Sequence, residues 1–541
     1  MINARFILLS ALGSLMLAAC APAPSGYGPA PLNLVTAHAN ATATATPFQP
    51  GGLADPSGQG LIPTESMGET GTRVATATST PEIPSATATS TVSPPSPTAP
   101  NASEPALSSP TPESAAPGPR TLYTFYVTLD YYNHAASVNE SIRYTNNTGQ
   151  ALTRIVLSVE PNQWPGCFSL TSLEQDGMAL SDFSLDGHRL TVSLQDPLQP
   201  GASTNFSLGF GLDLPWKSSD GTFGYRSDQL NLTNWFPFIV PFEGDWVLHD
   251  PSAYGEYLVY DSADFDVNVQ VNDPGIVLAA SAPGETTGAA THYYLEGART
   301  FAISASDSYR MDETAVGPVV IRAYHLPGHK NANDAVLWMA TQSVGLYQAK
   351  FAPYPYPSLT IVESDLNDGQ EYDGLVFLAS KFYTEYGGSA KSNLISIGTH
   401  EIAHQWWFGL VGSDQAMEPW LDEALALYSE DIFYQYTHPG YGDWWWGFRV
   451  EYWSPGGYVD QGVYGFGTFR SYVDAVYLNG AKFLDELHTR MGDEAFFDAL
   501  QDYAQSYARR RATADDFFAV LRRHTSRDLS DIMGNYLQGQ Y

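Results

Sequence analysis

The chain has 541 residues, and 25 Lys+Arg against 58 Asp+Glu leave a formal net charge of −33. With a pI near 4.5, that balance argues against nucleic acid or anionic lipid headgroups as partners, while protonated amines remain compatible. The only cysteines, Cys20 and Cys167, exclude a disulfide-stapled scaffold and a thiolate metal cluster.

The length suits two to four folded units. At the start, Arg5 precedes an apolar run from Phe6 to Met16, and Leu17-Ala18-Ala19-Cys20 closes it. A short apolar stretch behind one positive charge is the pattern of a secretory signal, too short for a stable membrane span. Leu-Ala-Ala-Cys resembles the lipobox of bacterial lipoproteins. That resemblance implies a signal peptide over 1–20, lipidation of Cys20, and a lipid-anchored protein on the extracytoplasmic face of a bacterial membrane. The alternative is an ordinary signal peptide cleaved nearby. If Cys20 carries lipid, Cys167 has no intramolecular partner and reads as a buried, inert thiol.

Residues 21–120 hold about half of the 37 prolines, repeated Ala-Thr and Ser-Pro steps, and only eight charged residues. Such a segment buries too little apolar surface to fold and reads as a disordered linker. Short β-branched and aromatic runs then follow: Tyr123–Asp130, Leu152–Ser158, His188–Ser193, Thr204–Leu208 and Phe265–Val271. Turn clusters such as Asn146-Asn147-Thr148-Gly149 divide them, the pattern of an antiparallel sandwich or saddle. Beyond about Met311, strand-like segments (Val319–Tyr324, Leu359–Val362) mix with helical ones (Asn333–Gln348, Leu394–Phe408), and the pattern from Ala481 is mostly helical. The expected architecture is an all-β domain at 121–315 followed by an α/β, mostly helical domain at 316–541.

Within the second domain lies His400-Glu401-Ile402-Ala403-His404. Histidines at i and i+4 share one helical face, where both imidazoles can reach one metal ion; Glu401, about 100° round, is placed beside the metal's open position. A third ligand of suitable type is Glu423, eighteen intervening residues after His404, on a second helix that Pro419 starts (Trp420–Tyr428). Packing of the two helices would complete a His₂Glu zinc site with one position left for water. Glu430, two turns beyond Glu423, can hydrogen-bond a ligand histidine from behind.

His400-Glu-Ile-Ala-His-Gln-Trp-Trp407 followed by Trp420-Leu-Asp-Glu-Ala424 resembles the aminopeptidase N-type gluzincins, whose signature is H-E-x-x-H, eighteen residues, then W-L-N-E-G. Asp422 replaces the usual Asn and Ala424 the usual Gly. Gly369-Gln370-Glu371-Tyr372-Asp373-Gly374-Leu375-Val376 looks like a diverged form of the family's G-x-M-E-N-W-G-L-V strand. On that resemblance Glu371 binds the substrate's free α-amino group, with Gly369 and Gln370 beside it. Val476-Tyr477-Leu478-Asn479-Gly480-Ala481 resembles Y-x-K-G-A, which places Tyr477 as donor to the oxyanion. Asn234-Trp235-Phe236-Pro237 and Ser262–Val267 look like parts of the family's N-terminal saddle.

The resemblance implies a saddle-shaped β domain, a thermolysin-like catalytic domain, one Zn²⁺ per chain, and hydrolysis of N-terminal residues from peptides outside the cytoplasm. Zinc-activated water would attack, with Glu401 as general base and Tyr477 stabilising the oxyanion. The long C-terminal helical domain of many members is missing from this sequence, so an open cleft is expected. Zinc endopeptidase and a catalytically silent surface binding protein are the alternatives. The aromatic segment 433–472, with Trp444-Trp445-Trp446, reads as a cleft wall, a sugar-stacking surface or packing.

Overall fold

The computed structural model describes residues 118–541 other than 219 and 220. The signal peptide, Cys20 and nearly all of the 21–120 linker lie outside the described residues. Thr121–Asp130 alternates strictly, turning Tyr123, Phe125, Val127 and Leu129 to one buried face, and Ala135–Thr145 and Ala263–Val271 do the same. These strands form the middle of an eight-stranded sheet. Thr121–Asp130 pairs in parallel with Ala263–Val271 and antiparallel with Ala135–Thr145. Two four-stranded sheets, one built on Leu152–Ser158 and Arg189–Leu198, the other on Gln229–Leu232 and Ile303–Ser306, complete the β region. Trp235 and Phe236 lock onto the large sheet's inner face, with ring centroids 4.9 and 4.8 Å from that of Phe125.

The next sheet has five strands in the order Arg310–Val316, Val319–His325, Ser358–Ser364, Leu375–Ala379 and Gly369–Tyr372. Its three inner strands run parallel, and helix α1 (Lys330–Lys350) supplies the crossover that the first parallel pair requires. Arg310–Val316 pairs with Val319–His325, so the change of sheet falls between 306 and 310, a few residues before the expected boundary at 315. Arg310-Met-Asp-Glu-Thr-Ala-Val316 carries no apolar alternation that would mark it as the first strand of the next sheet. At the far edge, Asp373-Gly374 makes a two-residue hairpin. Gly374 has φ +69°, and a Cβ there would overlap the Ser281 carbonyl oxygen.

Helices fill the rest. Helix α2 (Asn393–His404) runs into a wider π-helical turn at Gln405–Leu410 and packs on helix α3 (Trp420–Thr437), which in turn packs on helix α4 (Asn479–Met491). The chain is thus β-rich first and helical later, and no helix among the described residues is long and apolar enough to cross a membrane. Cys167 is buried, and burial pushes its thiol up to about 12, which leaves it protonated and unreactive.

One strand residue breaks its own pattern. Glu140 lies on the buried face between Val138 and Ile142, 2% exposed, and neither carboxylate oxygen has a hydrogen-bond partner. Desolvation raises its pKa well above the usual carboxylate value. The folded chain therefore holds this proton to higher pH than the unfolded chain does, so the group subtracts stability as pH rises above about 4.3. Glu140→Met should stabilise the fold by about 1–3 kcal/mol at pH 7. The advantage over wild type should shrink as pH falls toward 4, followed by denaturant unfolding; a gain independent of pH would contradict the neutral-carboxyl account.

Candidate active site

Helical spacing brings His400 and His404 together, with ring centroids 4.7 Å apart. Both rings are buried, and Glu423 on α3 meets them: its Oε2 lies 3.4 Å from His400 Nε2 and 3.5 Å from His404 Nε2. Those separations are long for hydrogen bonds. They suit ligands of one cation, since donor atoms about 2.0–2.2 Å from a tetrahedral zinc lie about 3.3–3.6 Å from one another. The set of two imidazoles and one carboxylate thus fits zinc in both chemistry and spacing.

The partners behind the ligands are equally ordered. Asp422 Oδ1 lies 2.5 Å from His404 Nδ1, and Gln415 donates to its other oxygen at 2.8 Å. Asp422, a departure from the resembled motif, therefore orients a ring and turns its Nε2 toward the shared point. Glu430 Oε1 stands 3.4 Å from His400 Nδ1. Buried Arg449 and the Trp445 indole, both from the aromatic segment, donate to Glu430. Despite burial, which opposes the cation, Glu423 and Glu430 push His400 up to about 10; burial drives His404 down to about 3. A dication between the rings would hold both neutral.

Glu401 projects beside this set, its Oε2 buried without a hydrogen-bond partner. Burial first, then the neighbouring Asp368, Glu423 and Glu256, raise its pKa well above the usual carboxylate value. Such a carboxyl favours holding a proton, as a general base must after it has taken one. Gly369 makes room for it: a Cβ there would overlap Glu401 Oε1. Tyr477, half-buried at the end of a π-helical turn leading into α4, donates to Glu423 Oε1 and stacks 6.1 Å from the His400 ring. The substitutions around it are accommodated. Asn479 donates to the Gly457 carbonyl, and Gly480 leaves the space Ala424 needs.

The edge strand Gly369–Tyr372 carries Glu371 to the same cleft, where one oxygen of Glu371, one of Glu401 and a ring nitrogen of His404 lie within 4.8 Å of one another. Sequence reasoning missed its companion. Glu256, from the 249–257 loop of the β region, joins Glu371 and Asp422 in a second cluster of that size. Gln370 donates to Glu256 at 2.6 Å and to Glu371 at 2.8 Å, and Gln415 also donates to Glu256. Burial, with Glu423 and Asp422 nearby, lifts Glu256 to about 8; burial, with Glu256 and Asp422, lifts Glu371 well above its usual value. No periodicity marks Glu256; the one local signal is an acidic residue in a Gly- and Tyr-rich loop. Asp368, also missed, buries both oxygens without partners next to Glu401.

No model of a known protein family matches the chain. Among curated proteins it is 28% identical over 239 residues to aminopeptidase M1-B of Oryza sativa subsp. japonica, covering 41% of this chain and 27% of that protein. It is 24% identical over 243 residues to aminopeptidase M1 of Arabidopsis thaliana (42% and 28% covered). The chain thus spans about a quarter of the length of the curated relatives it matches. Among solved structures, an M1 zinc metallopeptidase from Deinococcus radiodurans superposes with TM-score 0.57 at 16% identity, covering 78% of this chain and 95% of that one. A two-domain M1 zinc metallopeptidase bound to L-arginine gives 0.58 at 15%, covering 78% and 94%. The fold is that of the M1 zinc metallopeptidases, and the curated likeness supports the aminopeptidase N-type resemblance read from the motifs.

Purified protein should carry one zinc per chain by elemental analysis, and His404→Ala should lose it. Because ligand binding stabilises only the folded state, chelation should also lower the thermal midpoint. Full zinc occupancy in His404→Ala would remove this ligand set.

Proposed function

We propose that the chain is a zinc-dependent aminopeptidase acting on peptides outside the cytoplasm, lipid-anchored through Cys20. The observation that carries the reading is the pair of buried Glu371 and half-buried Glu256 set beside a His₂Glu cluster. An exopeptidase needs a fixed place for the substrate's ammonium next to the hydrolytic centre, and this pair offers one. When bound, zinc supplies a Lewis acid and lowers the pKa of water from 15.7 toward about 7. The chain's own residues do the rest.

Glu371 and Glu256 pair with the ammonium, whose charge offsets the burial and the mutual repulsion that raise both pKa values. That contact fixes register, so the first peptide bond lies at the metal ligands and the cut follows one residue. Glu401 takes the proton of the attacking water and returns it to the leaving amine. The Tyr477 hydroxyl, now on Glu423, is one hydrogen bond from the ligand set and can turn to the oxyanion as charge develops; losing one such donor costs about 10²–10³ in turnover. Asp422 and Glu430 hold the two rings in register throughout.

A carboxylate–ammonium contact in a desolvated cleft is worth about 1.5–3 kcal/mol, so Glu371→Gln should lower kcat/KM on aminoacyl-arylamides by roughly 10- to 150-fold. Zinc content should not change, and wild type should barely cut N-acetylated counterparts. Equal cleavage of both substrate sets, with Glu371→Gln silent, would make endopeptidase the better description. For the anchor, wild type expressed in bacteria should partition with membranes, and Cys20→Ala should be released or left unprocessed. Equal partitioning with normal processing would exclude lipidation.

A further inference from the structure

The ammonium-binding pair also forms part of the wall of a cavity of about 310 Å³, within the size range of small-ligand pockets. Its lining continues from Gln370, Glu371 and Glu256 into the β region, through Tyr257, Tyr260 and Phe223 to Trp164. None of His400, His404 or Glu423 lines it. This inference rests on the aminopeptidase reading. With the amine on Glu371 and Glu256, which themselves line the cavity, the side chain on the adjacent α-carbon is within reach of it.

The lining also indicates which side chain fits. The walls are aromatic: Phe223 and Trp164 stand 4.9 Å apart at 48°, and Phe408 adds a further ring 6.1 Å from Tyr260. Aromatic guests gain from tilted ring contacts beyond their buried area. The one other acid in the described lining, Glu160, offers nothing to a cationic guest. It already accepts from Ser158 at 2.7 Å, His188 at 2.8 Å, Tyr257 at 2.6 Å and Gln163, which fills the roughly four acceptor sites of a carboxylate. Lys217, 3% exposed, stands in the same wall and turns its ammonium to the carbonyls of Gly221 and Asp365. A second cation brought beside it would meet repulsion in a medium of low effective dielectric. We infer that this cavity receives the side chain of the substrate's N-terminal residue and selects neutral aromatic residues over small and over basic ones.

The test compares phenylalanyl-, tyrosyl-, alanyl- and arginyl-arylamides on the zinc-loaded protein. Phenylalanyl and tyrosyl substrates should exceed alanyl by tenfold or more in kcat/KM, with arginyl poorest. Trp164→Ala, a partly exposed position with little bearing on folding, should cut the phenylalanyl-to-alanyl ratio at least fivefold. Lys217→Met, checked for an intact fold by circular dichroism, should raise the arginyl-to-phenylalanyl ratio about tenfold. Calorimetry on Glu401→Gln protein gives a second readout without turnover, and free L-phenylalanine should bind at least tenfold more tightly than L-alanine. If alanyl substrates are cut but the ratio is the same in wild type and Trp164→Ala, or arginyl is preferred, the inference falls and the aminopeptidase reading stands. If no free-amine substrate is cut, the aminopeptidase reading falls, and L-phenylalanine binding no tighter than L-alanine would take the inference with it.

Discussion

Everything in the cleft follows from one electrostatic constraint: four buried carboxyl groups, Glu371, Glu401, Asp422 and Glu423, and half-buried Glu256 crowd around two imidazoles. Isolated buried carboxylates are strongly disfavoured, and like charges packed within a few ångströms worsen the penalty. The hydrogen-bonding and ionic partners these acids meet at short range include the amides of Gln370 and Gln415, the hydroxyl of Tyr477 and the two histidines, with Arg299 acting on Asp422 from further off. Neutral donors soften the repulsion without cancelling it. A dication at His400, His404 and Glu423 would offset part of it, and the ammonium proposed to sit at Glu371 and Glu256 would offset the rest.

Holding such a cluster requires a scaffold that cannot relax. Asp373, which stands where the resembled motif has Trp, is the knot. It accepts from the Arg299 and Thr300 amides at 2.9 and 2.7 Å and from the Thr300 hydroxyl at 2.7 Å, and Tyr356 donates to its other oxygen. Arg299 then reaches the carbonyls of Tyr260, Phe408 and Arg510. One buried residue, Arg299, thus ties the Glu371 hairpin to the end of the β region through its backbone amide and to the helical region through its guanidinium. Gln405, one residue past His404, clamps the same hairpin through Gly374 N at 2.8 Å and Tyr372 O at 3.0 Å. The strand that carries Glu371 and the helix that carries His400 and His404 are therefore fixed to each other directly.

What the sequence revealed and what it hid divide along the range of the interactions. His400, His404, Glu401, Glu423 and Glu430 could be read because helical spacing is a local geometric rule, and the starts of α2 and α3 could be placed within a residue, although α3 runs on past Tyr428 to Thr437. Leu152–Ser158 matched its strand for the same reason. Glu256, Arg299 and Gln415 were invisible because their roles depend on contacts across 115 residues (Glu256 to Glu371), 74 (Arg299 to Asp373) and 159 (Gln415 to Glu256), set by tertiary packing. Asp373 looked like erosion of a motif, although its charge is answered by a partner that no local pattern could name.

The aromatic segment shows how packing and site chemistry merge. Trp445 and Arg449 are fully buried and both grip Glu430, so this part of the segment stands behind the metal ligands and serves His400 through an intermediary. Tyr472 is also buried, its ring 5.5 Å from that of Tyr477, and a Cβ on Gly255 would run into it. Gly255 has φ +67° and immediately precedes Glu256. A side chain there would meet both backbone strain and Tyr472, and would push the Glu256 carboxylate away from Glu371. Val463 and Tyr464 add bonds to the Ala416 and Asp250 carbonyls on either side. The three readings open at the sequence level thus give way to one in which Trp445, Arg449 and Tyr472 pack from behind, setting the distance between the residues proposed to stabilise the oxyanion and those proposed to hold the amine.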